Sequence, residues 1–138
     1  MKLSRTAAYA LQATLQLARS EAGGPVPCGR LAAEGGMPRR FLLQILRNLV
    51  THGILGSTRG VDGGYMLQRS PTDISLLEVI EAIDGPLHSR PPIHRGLPEE
   101  CKTKLECTLK QVTELARREL RAVTLAHLLP ATNGRTTG

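Results

Sequence analysis

Aromatic residues are almost absent from this 138-residue chain: there is no Trp, one Phe (Phe41) and two Tyr (Tyr9 and Tyr65). A single-stranded nucleic-acid platform, which stacks bases on several rings, is therefore not the expected mode of action. The core has to come from Leu, Ile, Val and Ala. Long apolar runs are missing too, and Met1-Lys2-Leu3-Ser4-Arg5 leads directly into an amphipathic pattern rather than a secretory leader. Neither a membrane span nor export is expected, so the chain reads as cytoplasmic. Cysteines number three, which suits a secreted disulfide framework poorly.

What the chain does have is positive charge. Eighteen Lys and Arg against twelve acidic residues give a formal charge of +6, so polyanions are the first partners to consider. Charge alone does not identify a nucleic-acid binder; the basic residues must share a face. The length allows one compact unit with an additional element.

Ser4 stands where it can cap a helix whose apolar residues Ala7, Ala8, Ala10, Leu11, Ala13, Leu15, Leu17 and Ala18 cover a broad face, ending before Gly23-Gly24-Pro25. A short Ala-rich segment from Cys28 to Glu34 then stops at Gly35-Gly36, as in a helix-turn-helix. The next helix is expected over 38–52, with Pro38 in its first turn. Phe41, Leu42, Ile45, Leu46, Leu49 and Val50 form its expected buried stripe, while Arg39, Arg40, Gln44, Arg47 and Asn48 fall on other faces. Gly53 can end it in the left-handed conformation.

Two short strands around Gly60-Val61-Asp62-Gly63-Gly64 predict a hairpin. Ser75 with Glu78 is a capping-box pair, and Ile74 with Val79 a hydrophobic staple, for a helix ending at Gly85-Pro86. Four prolines within 86–100 predict a loop. A long helix is expected over 107–129, with Leu109, Val112, Leu115, Ala116, Leu120 and Val123 in one seam. That seam packs either on its own domain or on the same helix of a second copy. The tail, 130–138, lacks periodicity and is expected to be disordered.

The expected fold is thus mainly α with a small β-hairpin wing: a winged helix-turn-helix over 1–85, a cysteine-containing loop over 86–106, a dimerisation helix over 107–129 and the tail. Three strings sharpen it: Met1-Lys2-Leu3-Ser4 with Tyr9-Ala10-Leu11; Arg59-Gly60-Val61-Asp62-Gly63-Gly64-Tyr65; and Ile74-Ser75-Leu76-Leu77-Glu78-Val79-Ile80-Glu81-Ala82-Ile83. With them, the chain resembles the family of bacterial winged-helix regulators that includes IscR, NsrR and CymR, as far as about residue 129. The resemblance implies a homodimer on near-palindromic double-stranded DNA and a transcription-regulating role.

In a recognition helix, base edges are reached from the N-terminal part, where Arg39, Arg40 and Gln44 lie. Arginine can pair with guanine and glutamine with adenine; the arginines serve phosphates equally well. Arg59, beside the wing glycines, suits a narrow minor groove. Lys2, Arg5 and Tyr9 are candidates for phosphate contacts, Tyr9 being equally suited to the core.

The resemblance also implies an iron–sulfur cluster in those members that carry three cysteines, each separated from the next by five residues, before the long helix. Cys101 and Cys107 match the last two. The first position is Arg95, with His94 beside it; helix one has no Asp, Glu or His, and Lys110 stands where some members have a histidine ligand. His94 is the candidate third ligand, His88 another, since imidazole replaces thiolate in some clusters. A zinc site, a reversible Cys101–Cys107 disulfide and a loop that senses nothing remain open. Cys28 reads as a small buried residue. No phosphate-binding glycine loop or HExxH pair supports an enzyme; a protein-interaction module or a metal-handling protein is the competing class.

Overall fold

The computed structural model describes residues 2–20, 23–88 and 95–131. Six α-helices, one hairpin and a single 3-10 turn (Pro71–Asp73) make up the described fold: α1 (Arg5–Arg19), α2 (Cys28–Gly35), α3 (Arg39–Thr51), β1 (Leu55–Thr58), β2 (Gly64–Leu67), α4 (Leu76–Asp84), α5 (Glu99–Ala122) and α6 (Leu125–Leu128). His94 and most of the expected disordered tail lie outside the described residues.

Ser4 starts α1 by accepting a hydrogen bond from the Ala7 N–H at 3.0 Å, and its own hydroxyl donates to Asp84 at the end of α4. The start of α1 is thereby tied to the end of α4. Ala7, Ala10 and Ala13, all fully buried, present small side chains on one face, and α1 packs against α4 and α3. Thr14 is the buried polar side chain in this helix, and its hydroxyl is satisfied by the Leu11 carbonyl at 2.9 Å.

Gly36, at φ 65°, turns the chain out of α2 towards α3. Leu42, Ile45, Leu46 and Leu49 fill the core beneath α3. Phe41 does not join them: it is 60% exposed. At about 100° per residue it lies roughly a quarter-turn from the centre of that stripe, at the edge of the helix. Pro38 is likewise one position outside the helix, as its N-cap.

In the hairpin Leu55 pairs with Leu67, Gly56 with Met66, Ser57 with Tyr65 and Thr58 with Gly64. The Gly63 N–H donates to Gly60 at 3.1 Å, closing the turn. A Cβ on Gly63 would sit 2.5 Å from the Thr58 carbonyl oxygen, so the turn needs glycine there. Val26 and Tyr65 exchange backbone hydrogen bonds of 2.9 Å in both directions, fastening β2 to the segment before α2.

Ser75 caps α4 by accepting from the Glu78 N–H at 3.1 Å, and Ile74 and Val79 are both fully buried. The Glu78 carboxylate does not return to Ser75 but accepts from Arg69, which also donates to the Asp73 carbonyl.

The long helix begins earlier and ends earlier than expected. Pro98 is its N-cap and Glu99 and Glu100 occupy its first turn, where negative charge is favourable. No Gly or Pro follows before Pro130, so nothing interrupts the helix at the cysteines, and the expected loop over 86–106 is helical from Glu99 onwards. The far end breaks at Val123 because the backbone becomes extended there: Leu76 donates to Val123 and Leu125 donates to Ile74, each at 2.9 Å. Leu125 of α6 is then buried in the core.

Arg117 joins α5 to α4 by donating to both carboxylate oxygens of Glu81, each at 3.1 Å. Burial pushes the Glu81 carboxyl up, but the Arg117 hydrogen bond, the Leu87 N–H and the charges of Arg117 and Arg121 outweigh it, leaving the group below its ordinary value. A depressed carboxylate contributes stability above its unfolded value and loses it as pH falls through the folded one. Glu81→Gln is therefore expected to lower the thermal midpoint at neutral pH, the deficit shrinking as pH drops below about 4.3, where unfolded glutamate titrates. Calorimetry across pH checks this; a deficit independent of pH would contradict it.

Candidate nucleic-acid interface

α3 buries one face and leaves the other unpacked. Arg40, Gln44 and Arg47 are exposed and recur at intervals of four and three, which places them on one outward strip. Gln44 donates from Nε2 to the Asn48 side-chain oxygen at 3.3 Å, which steadies the amide along the helix surface. Arg47, on a non-core face of α3, belongs to this strip, as its spacing of seven residues from Arg40 signals.

Arg39 is placed differently. A Cβ on Gly29 would lie 3.6 Å from its guanidinium carbon, so the cation rests over the first turn of α2 rather than beside Arg40. It also lies close enough to Cys28 to oppose, in part, the effect of burial on that thiol. Burial is the larger influence and holds the Cys28 thiol above its ordinary value, leaving a protonated, buried side chain. This matches its reading as a small core residue.

Arg59 and Val61 stand exposed on the hairpin turn, Val61 completely so. Lys2 and Arg5 are exposed at the start of α1, whereas Tyr9 is half-buried and packs against the core. Exposed cations thus stand on α3, on the hairpin turn and at the start of α1. No helix among the described residues is long and apolar enough to cross a membrane.

Cys101 and Cys107 are exposed thiols on the continuous helix α5. Six residues of α-helix separate them by about 9 Å along the axis and about 120° around it. A disulfide needs its Cα atoms within about 7 Å, so the two cannot pair within one chain while α5 is intact. For the same reason they do not converge on one iron–sulfur cluster. Among the described residues, no three His, Cys, Asp or Glu side chains come together in a way that could hold a metal. Arg95 and His88, near the start of α5 and after α4, are exposed.

Comparison with known proteins adds the family. A sequence profile described as Rrf2, iron-dependent transcriptional regulator, matches residues 3–131. The chain belongs to the Rrf2 family. It is 41% identical over 124 residues to Rv1287 of Mycobacterium tuberculosis, named as an HTH-type transcriptional regulator, covering 89% of this chain and 75% of that protein. Among solved structures it is similar to CymR, the global cysteine regulator of B. subtilis, with a TM-score of 0.77 at 25% identity over 93% of this chain and 95% of that one. It is also similar to T. potens IscR, with a TM-score of 0.67 at 28% identity over 93% and 85% of the two chains. As an Rrf2 protein this is a winged-helix, DNA-binding transcription regulator and not an enzyme.

Proposed function

We propose that this Rrf2 protein acts in the cytoplasm as a homodimer that binds a near-palindromic operator, each subunit reading one half-site. The observation that carries the reading is the exposed strip of α3, Arg40, Gln44 and Arg47, next in sequence to a hairpin fastened to the body through Val26 and Tyr65. A recognition helix needs such a strip in the major groove, and a wing needs a fixed base from which to reach the neighbouring groove. Arg40 and Gln44 are assigned to base edges and Arg59 to the minor groove. Arg39, Lys2 and Arg5 are assigned to phosphates, as is Tyr9 through its hydroxyl.

The second subunit is assigned to α5. Cys101, Leu105, Thr108, Val112 and Leu115 share one side of it. Val112 and Leu115 remain 57% and 58% exposed, and nothing in α5 is fully buried. A helix of 24 residues, about 36 Å long, holds its position with so little burial only if another surface covers it. A second copy offers the same side of the same helix, as twofold symmetry requires.

Arg40→Ala and Arg59→Ala are each expected to weaken operator binding about 5- to 150-fold, corresponding to about 1–3 kcal/mol per base-directed contact. Arg40→Ala should also relax preference at one base pair. Fluorescence anisotropy on operator and scrambled duplexes checks this; unchanged affinity in both variants would remove the assignment. A protein-interaction module with incidental charge would bind both duplexes alike.

A response to iron, redox state or nitric oxide through Cys101 and Cys107 would require the first turns of α5 to unwind. The donors do not fit a shared cluster in this fold. After anaerobic incubation with ferrous iron, sulfide and reductant, followed by desalting, the protein is expected to be colourless and without stoichiometric iron. A coloured protein that has lost helix at 99–107 would overturn this.

A further inference from the structure

Phe41 is the chain's sole phenylalanine, and it is 60% exposed. Its neighbours Leu42, Ile45 and Leu46 are almost fully buried, so the ring is left outside a core built mainly from Leu, Ile, Val and Ala. It occupies the third position of α3, directly after Arg40 and three residues before Gln44. With Gln44 and Asn48, three and seven residues on, it shares one flank of the helix. An apolar ring set among polar side chains at the N-terminal end of a recognition helix would meet base edges when that helix enters the groove. The major-groove floor of a DNA duplex offers one apolar group, the C5-methyl of thymine. Wedging of apolar side chains between base steps belongs to proteins that enter from the minor groove, and α3 is assigned to the major groove.

We propose that Phe41 reads a thymine methyl in each operator half-site, beside the base pairs assigned to Arg40 and Gln44. The proposal rests on the DNA-binding reading above and adds a specificity that the charged and amide side chains do not supply. Thymine carries a methyl at C5 where cytosine carries hydrogen, so apolar contact there adds to the donor–acceptor difference between the two pyrimidines.

The test replaces each thymine of a half-site, one at a time, with deoxyuridine, which removes only the methyl. Duplexes are titrated against the native chain, Phe41→Ala and Phe41→Leu. The native chain is expected to lose roughly fourfold in affinity at one thymine, the factor for uncovering one buried carbon group. Phe41→Ala should bind the unmodified operator more weakly and show no further loss at that thymine, while Phe41→Leu keeps part of the sensitivity. Circular dichroism confirms that both variants are folded, as expected for an exposed position. Equal losses in all three proteins at every deoxyuridine would overturn the proposal. Failure of the native chain to prefer any duplex over random DNA would instead overturn the underlying reading, and the proposal with it.

Discussion

Placing glutamate at both Val112 and Leu115 is expected to convert the proposed dimer to monomers and to lower operator affinity by at least about 100-fold. Both side chains are more than half exposed in the single chain, so the substitutions leave the subunit's own packing intact and its circular dichroism unchanged. In a twofold contact each carboxylate appears twice, against apolar surface or against its symmetry mate. Burying an unpaired charge there costs several kcal/mol, enough to dissociate an interface of moderate size. The operator effect follows from geometry. A dimer engages its second half-site as an intramolecular event, which raises overall affinity by about 10²–10⁴ without any new contact, and a monomer loses that factor. Sedimentation equilibrium and anisotropy together check both parts. A variant that stays dimeric would move the interface off this side of α5; a monomer with native affinity would remove the two-half-site mechanism.

Gly64→Ala is expected to destabilise the fold by about 2–4 kcal/mol, within the range of severe single substitutions, and to weaken DNA binding in whatever fraction remains folded. A Cβ at this position would lie 2.5 Å from the Val26 carbonyl oxygen and 2.7 Å from the Pro27 nitrogen. These are backbone atoms and cannot rotate away as a side chain could. The same stretch carries the paired 2.9 Å hydrogen bonds between Val26 and Tyr65, so the methyl group must either break that tie or push the hairpin off the body. Ser57→Ala, exposed on the partner strand, is the control, with a change of no more than about 0.5 kcal/mol. Urea denaturation separates the two outcomes. Equal stability of the variants would mean that the wing is not held where Val26 places it.

Features set by neighbours three or four residues apart were legible in the sequence. Ser4 and Ser75 cap the helices expected of them, Gly53 ends α3 at φ 75°, and the hairpin forms around its glycines. Leu42, Ile45, Leu46 and Leu49 were found by period alone. Phe41 fits the period yet lies outside the core, because an apolar residue at the edge of a helical stripe satisfies the spacing whether or not the core reaches it. The start of α5 departs from expectation for another reason: four prolines without apolar periodicity over 86–100 predict a loop, yet only Pro98 directly bounds the helix, and the charged run after it is compatible with helix throughout.

What pattern could not show is what joins distant segments. The Val26–Tyr65 tie, the Arg117–Glu81 pair and the Leu76–Val123 and Leu125–Ile74 hydrogen bonds link residues far apart in the chain. They decide how firmly the wing and α5 are held, and no local spacing signals them. Arg39 shows the same limit within the candidate interface. Its place at the start of α3 suggests a partner for Arg40 and Gln44, whereas the packing of α2 against α3 brings Gly29 under its guanidinium.

The central claim is that two copies of this chain read two half-sites of one duplex, and repeated selection of bound molecules from a random double-stranded DNA library tests it most directly. Two paired subunits should enrich an inverted repeat whose half-site centres lie about one helical turn, or a multiple of it, apart on one face of the DNA, and the Val112→Glu, Leu115→Glu chain should lose that enrichment. Enrichment of a single unrepeated motif, or of no motif at all, would contradict it.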